Sequence, residues 1–431
     1  MTFVKQLLKI GNETSGDVII TEMGNNFAPE FDADTICGTM NFSLPYIDSS
    51  NEKYFNDNNA VHFKTLKRYA PIQLYYKKFE ADPGNVSIHE LDLVFTGYIN
   101  KTPQSKSKSS AELNFECIGV LGISSETNLP TNVEVVTGTN YLKTLFAKSG
   151  LSTLIPDSDI IDYLTTESRE LTIKWGGEPN IKKILEGLNE NYGIKVHQRG
   201  DGKVMIFDML GIFLSELTSW ELKLGDSIFE IDYGDVASRI NRIVVYGFGG
   251  NVGMAMDPTV LVESGVDFEG FTTFSGLTSR SSDIRTPMFE YLSQNQTSTE
   301  GEIDYSPYFA TEIHYRQDIS DVLELEAIAR NLLFSKLQNN VVTIKTLWEP
   351  EMAINQVVYV TDGEKYDNTK FIIKKISMSL SKTSAEATLT CFRSALALAP
   401  ENMVKDIGGF TDLRTLEVNK EVQDTESWNN F

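Results

Sequence analysis

In residues 321–333 the apolar positions fall at Val322, Leu325, Ile328, Ala329, Leu332 and Leu333. Spacings of three and four place them on one face of a helix. Asp321, with Glu324 three residues on, supplies an N-cap and a capping box. The run Gln338, Asn339, Asn340 stops the helix, because Asn side chains compete for backbone hydrogen bonds. The period then changes to two. Residues 341–348, 355–361, 371–380 and 385–392 are rich in β-branched and aromatic residues, with a turn signal at Asp362-Gly363, and predict an antiparallel meander.

The N-terminal region has the same texture. Residues 3–10, 17–22, 36–44, 71–79, 91–100 and 111–120 read as strands separated by Asn, Asp, Gly and Ser clusters, and 102–110 (TPQSKSKSS) as a polar hairpin loop. Three of these strands echo the C-terminal meander in order. Gln73-Leu74-Tyr75-Tyr76 matches Gln356-Val357-Val358-Tyr359, 95–99 sits where 371–376 sits, and Ala111-Glu112 with Cys117 mirrors Ala385-Glu386 with Cys391. Matches in one order on successive strands favour a β module used twice over two meanders that merely share alternation.

Between the two modules the pattern is mixed. Helices are expected at 140–149, closed by Gly150, and at 181–192, capped by Asn180 and ended by Gly193. A hairpin at 194–197 and 203–207 follows, turning at Gly200-Asp201-Gly202. β structure resumes over 231–247. The segment 251–320, with Pro258, Pro287 and Pro307, is irregular, with short strands expected at 268–274 and 311–315. The fold class expected is mainly β with an α+β insertion: two tube-like antiparallel β-barrel modules related by internal duplication at 1–130 and 223–400, an α/β insertion at 131–222, an irregular insertion at 251–320, and an acidic tail at 401–431.

Composition narrows the function. Of 431 residues 41% are hydrophobic, enough for sizeable cores, and 60 acids against 38 Lys and Arg give a net charge of -22. That balance excludes a protein that grips nucleic acid through basic patches. No run is long and apolar enough for a membrane span and residues 1–16 lack a signal-peptide pattern, so assembly in the cytosol is expected. Cys37, Cys117 and Cys391 are odd in number and sit in strand patterns, as buried thiols do.

Candidate chemistry is sparse. Gly247, Gly249, Gly250 and Gly253 follow a strand as a dinucleotide loop would, but Val252 stands where the motif's last Gly belongs and Asp257-Pro258 where its helix begins. Arg199-Gly200-Asp201 spells an adhesion tripeptide inside a hairpin turn. Asp157, Asp159 and Asp162 lack the Gly and closing Glu of a calcium loop, and His62, His89, His197 and His314 are dispersed. Carboxylate pairs such as Glu324 with Glu326, or Glu230 with Asp232, read as solvent-facing. Trp175, Trp220, Trp348 and Trp428 are scattered, as core or interface residues. No catalytic, cofactor-binding or metal residue is assigned, and no enzyme activity is expected.

The order of β module, α/β insertion and second β module with a helix before its last strands resembles the baseplate hub proteins of phage tails. These are tail-spike adaptors related to late-control-D-type tail proteins and to the N-terminal half of type VI secretion spike proteins. The residues carrying the likeness are 94–99 (VFTGYI), 237–247 (ASRINRIVVYG) and the block 327–391. The resemblance implies a virion structural protein of a contractile injection system or related tail, located in the tail baseplate and assembled in the bacterial host cytoplasm. It implies a homotrimer, a tail tube adaptor presenting six similar modules to a six-fold tube or tube-initiator protein and holding a separate three-fold spike among other baseplate proteins. DNA would pass through a negative lumen without specific binding, and no membrane insertion or cofactor is implied. The alternatives are a tail-associated cell-wall hydrolase and a host-glycan-binding tail-tip protein.

Overall fold

The computed structural model describes residues 3–11, 18–21, 27–45, 68–101, 112–124, 134–175, 180–214, 219–234, 240–256, 310–336, 339–366, 368–381 and 384–393. The polar loop at 102–110, the expected strand at 268–274, His62, Trp428 and the tail at 401–431 lie outside them.

The first β module contributes β1 (Phe3–Ile10), β2 (Val18–Thr21), β3 (Phe27–Asp32), β4 (Thr39–Pro45), β5 (Pro71–Phe79), β6 (Asp92–Lys101) and β7 (Glu112–Ile118). After a short helix α1 (Val120–Ser124), the insertion holds β8 (Glu134–Thr137), α2 (Gly138–Ser149), β9 (Ile160–Tyr163), α3 (Thr166–Glu170), β10 (Thr172–Trp175), α4 (Ile181–Tyr192), β11 (Lys195–Gln198), β12 (Val204–Phe207) and α5 (Met209–Leu214). Then come β13 (Ser219–Lys223), β14 (Ile228–Tyr233), β15 (Ile240–Gly247), β16 (Val252–Met256), β17 (Ala310–Arg316), α6 (Val322–Lys336), β18 (Asn339–Leu347), β19 (Val357–Thr361), β20 (Thr369–Leu380) and β21 (Ala385–Arg393). The protein is mostly β, with antiparallel pairing dominant.

One 13-stranded sheet carries both β modules. Its first part runs β3-β4-β7-β6-β5-β1-β2, and its second runs β14-β18-β21-β20-β19-β13. Strands of the same rank in each half take the same neighbours: β6 lies between β5 and β7 as β20 lies between β19 and β21, and β4 and β18 follow outside. The halves differ at the next position: β1 pairs β5 in antiparallel fashion and carries β2 beyond it, whereas β13 pairs β19 in parallel. Ser219–Lys223, at the end of the stretch read as insertion, is therefore already in the main sheet.

The residue-level echo needs correction. Ile99 opposes Cys117 and Ile373 opposes Cys391, each followed by a bulge, so the cysteines do correspond. From that anchor Tyr98 answers to Ile372 and Pro71 to Val357, which sets Leu74 opposite Val360 in the comparison and not Val357. The sequence match of Gln73 to Gln356 is three residues out. An odd slip moves every side chain to the other face, and burial shows it: Ile72 and Leu74 are buried, as are Val358 and Val360.

Helix α6 begins as predicted, with Asp321 Oδ1 accepting from the Leu323 N–H at 2.8 Å. Its Glu324 does not fold back into a capping box; the carboxylate accepts from the Thr172 N–H at 3.1 Å and ties the helix to β10. Asn339 and Asn340 open β18 and do not form a loop. The single apolar stripe also understates the burial. From Leu325 to Leu333 every residue is buried, because the β16-β15-β17 sheet covers one side of α6 while α3, α4 and α5 of the insertion pack the other. Gly193, the α4 C-cap at φ 66°, lets the Asn331 backbone approach, since a Cβ there would stand 2.5 Å from the Asn331 carbonyl carbon.

Gly253 of β16 faces α6 in the same way, with a Cβ position 2.3 Å from the Leu325 carbonyl carbon. Gly253→Ala is expected to push the helix off its sheet and cost about 1–3 kcal/mol in urea unfolding. Gly249→Ala, at φ 72° with open space around it, is expected to cost about 1 kcal/mol from backbone strain alone.

Candidate functional site

The two halves join edge to edge. β20 is 12 residues long, and one of its edges serves two neighbours: β19 pairs with Thr369 to Ile372, and β3 pairs with Lys375 to Leu380. A strand of this length spans about 40 Å, enough for both. At the seam Lys375 pairs with Glu30 at 2.9 Å, and Glu30 also accepts from the Ser377 hydroxyl at 3.0 Å.

The register makes the sheet two-faced across that seam. On the inner side Ile231, Ile344, Leu389, Ile376 and Phe31 stand opposite one another in sequence across β14, β18, β21, β20 and β3. One residue along, Glu230, Lys345, Thr388, Ser377, Glu30, Thr39, Ile118 and Tyr98 form a row across eight strands, none of them buried. The next row holds Asp232, Thr343, Thr390, Lys375 and Asp32. Hydroxyls and charges thus make one wall from β14 across the seam to β4, interrupted at β7 by Ile118, with acids outnumbering lysines.

The insertion meets the seam beside β3. Asp34, just beyond β3, pairs with Lys195 of β11 and with Lys374 of β20, both at 2.6 Å. Burial pushes the Asp34 carboxyl up, but the two ammonium groups outweigh it and hold it at about 2. Beside this clasp lies a cavity of about 70 Å³ lined by Phe31 and Val94 from the first half, His197 and Arg199 from the insertion, and Trp348 and Ile376 from the second half. His197 is fully buried and its Nδ1 donates to the Thr35 carbonyl at 2.7 Å. That fixes Nε2 as a bare acceptor with no partner, and the Trp348 Nε1 donor is likewise unpaired. Burial lowers the His197 pKa to about 4, helped by the charge of Arg199 and opposed by the Thr35 bond.

The residues weighed for chemistry turn out to serve packing. Gly200 carries its turn into the seam, where a Cβ would lie 2.0 Å from the Val94 carbonyl oxygen, and Arg199 and Asp201 pair across the turn at 3.5 Å. Gly247 and Gly253 lie against Leu325 of α6. Asp162 accepts from Thr139, from the Leu164 N–H and from Arg169. Among the described residues no three His, Cys, Asp or Glu side chains gather as metal ligands would. His89 is exposed and His314 pairs with Glu312 at 2.9 Å. Glu230 and Asp232 are exposed as expected, but Glu326 is buried and Glu324 half-buried, because α6 is enclosed on both sides. Cys37, Cys117 and Cys391 are free, buried thiols. The role of Asp34 and His197 was not legible, since their partners lie more than 160 residues away in sequence.

No family model and no curated protein matches the chain. Solved structures do. The chain is similar to a tail protein from Neisseria meningitidis MC58 at 12% identity, covering 91% of this chain and 97% of that one, with a TM-score of 0.58. It is similar to the 43 kDa tail protein of prophage MuSo2 from Shewanella oneidensis at 13% identity, covering 90% and 98%, with a TM-score of 0.55. The fold is that of phage tail proteins. The likeness runs over nearly the whole of both chains, so both halves of the sheet and the insertion fall within it.

Two titrations follow from the clasp. His197 is held below its ordinary 6.5, so the unfolded chain binds the extra proton. Its contribution is therefore complete above pH 6.5 and lost as pH falls from 6.5 to 4, at about 1.4 kcal/mol per pH unit. Unfolding free energies measured across that range are expected to lose this slope in His197→Gln. Asp34 acts lower: its contribution is present above 3.8 and lost as pH falls through about 2. At neutral pH Asp34→Ala is expected to cost about 1–3 kcal/mol, reduced by the exposure of Asp34 itself but sustained by Lys195, which is only 6% exposed and left unpaired.

Proposed function

We propose that this chain is the structural hub of a phage or phage-like tail baseplate, a ring-shaped homotrimer that joins a six-fold tail tube to a three-fold central spike. The observation that carries the reading is the repeated strand order: one chain holds the same five-strand run twice, joined edge to edge with a polar face continuous across the join. Internal duplication explains that repeat. Three copies then present six near-equivalent modules, which is what a protein must do to seat a six-fold ring on a three-fold axis. The similarity to tail proteins supports the setting, a virion tail built in the bacterial host cytoplasm.

In this reading the polar wall faces the conduit. Its acids repel the phosphate backbone, while Lys101 with Glu116 and Lys375 with Glu30 keep the potential moderate, so DNA slides without adhering. The partners are the tube or tube-initiator protein, a separate spike and neighbouring baseplate proteins, and the role is non-catalytic.

Sedimentation or light scattering of the chain, alone and mixed with its tube and spike proteins, tests this. A mass of three chains, in either condition, is expected; a monomer in every mixture overturns the trimer. The isolated chain is expected to leave cell-wall material intact on a zymogram, and clearing there favours a hydrolase instead.

A further inference from the structure

We infer that the cavity beside the Asp34 clasp is a binding site for about two ordered water molecules, the inner one accepting from Trp348 Nε1 and donating, directly or through its neighbour, to His197 Nε2. The insertion and the second half of the sheet are then joined through bound solvent as well as through charge. The inference is independent of the hub reading, since it rests on the geometry of the seam alone.

Both polar groups are held in place by other contacts. The His197 ring is anchored at Nδ1 by the Thr35 carbonyl at 2.7 Å, and Phe31 meets it edge-on with 6.3 Å between ring centres. Trp348 donates its backbone N–H to the Ala385 carbonyl at 2.9 Å, its own carbonyl accepts from Lys78 Nζ at 2.5 Å, and Tyr76 packs edge-on against its indole. Neither ring can swing to a protein partner without giving up one of these contacts. The two side chains are 0% and 1% exposed, and among the described residues they are the two lining this cavity that carry a buried polar atom without a protein partner. A buried donor or acceptor left unbonded is strongly unfavourable, which is why cavities with polar walls are wet and those with apolar walls stay dry.

The chemistry of the pair selects the occupant. Trp348 Nε1 offers only a hydrogen, and His197 Nε2, with Nδ1 donating to Thr35, offers only a lone pair. The N–H turns away a cation and the lone pair an anion. A neutral molecule that accepts at one end and donates at the other satisfies both, and the cavity of about 70 Å³ has room for about two waters at roughly 30 Å³ each. The outer water reaches the rim, where Arg199 and Asp201 are 34% and 29% exposed and supply the further partners that an internal water needs.

A crystal structure of the whole chain that resolves ordered solvent tests the site directly. The expected result is a water oxygen about 2.7–3.2 Å from Trp348 Nε1, bonded directly or through one further water to His197 Nε2. A cavity without solvent density, or a direct bond between the two nitrogens, overturns the inference. In solution, oxygen-17 relaxation dispersion counts long-lived internal waters. His197→Phe and Trp348→Phe each remove one polar wall, and each is expected to lower that count by about one or two relative to the unaltered chain. An unchanged count in both variants also overturns the site, and if neither variant folds the crystal structure of the unaltered chain decides.

Discussion

The sharing of one β20 edge between β19 and β3 is the constraint on which the rest of the molecule depends. A strand of ordinary length has room for one neighbour on each side. β20 outruns β19, and the overhang carries the whole first half of the sheet. Because register is locked by hydrogen bonds, the apolar row through Ile376 and Phe31 and the polar row through Ser377 and Glu30 continue from one half into the other with no change of face. Two modules that could have been separate domains share one core and one wall.

That arrangement leaves a corner to be sealed, and the insertion seals it. β11 is buried along its length and brings Lys195, His197 and Gln198 to the loop between β3 and β4. Asp34 there joins all three parts by charge, while the turn at Gly200 fits under Val94. On the other side α6 is held between its own small sheet and the insertion, with Asn331 donating to Ser168 and Arg316 reaching the Asn191 carbonyl and the Tyr192 hydroxyl. The insertion is therefore a brace between two clamps.

Local rules made much of this legible. The helices ending at Gly150 and Gly193, the Asn180 cap, the 194–207 hairpin and the C-terminal meander all rest on short-range chemistry, and all appear where that chemistry places them. What failed was non-local. β3 was not among the expected strands; Pro29 at its centre has no N–H to offer, and its neighbours supply the ladder. The echo of Gln73 in Gln356 was a match of letters whose parity the pairing contradicts, while the cysteine match survived because both thiols fill the same buried position beside the same bulge. Glu324 was read as a cap because its contact with Thr172 joins parts 152 residues apart. The seam itself, made of Asp34, Lys195 and Lys374, has no sequence signature at all.

The net charge of -22 bears on the proposed conduit through where the acids of the sheet stand. It is not spread evenly: on the polar wall Glu30 and Glu116 are paired with lysines, Asp232 and Glu230 stand exposed at the far edge, and Thr and Ser hydroxyls fill the rows between. Hydroxyls hydrate without holding phosphate, and exposed acids repel it, so such a surface lubricates a polyanion better than either a basic or an apolar wall would.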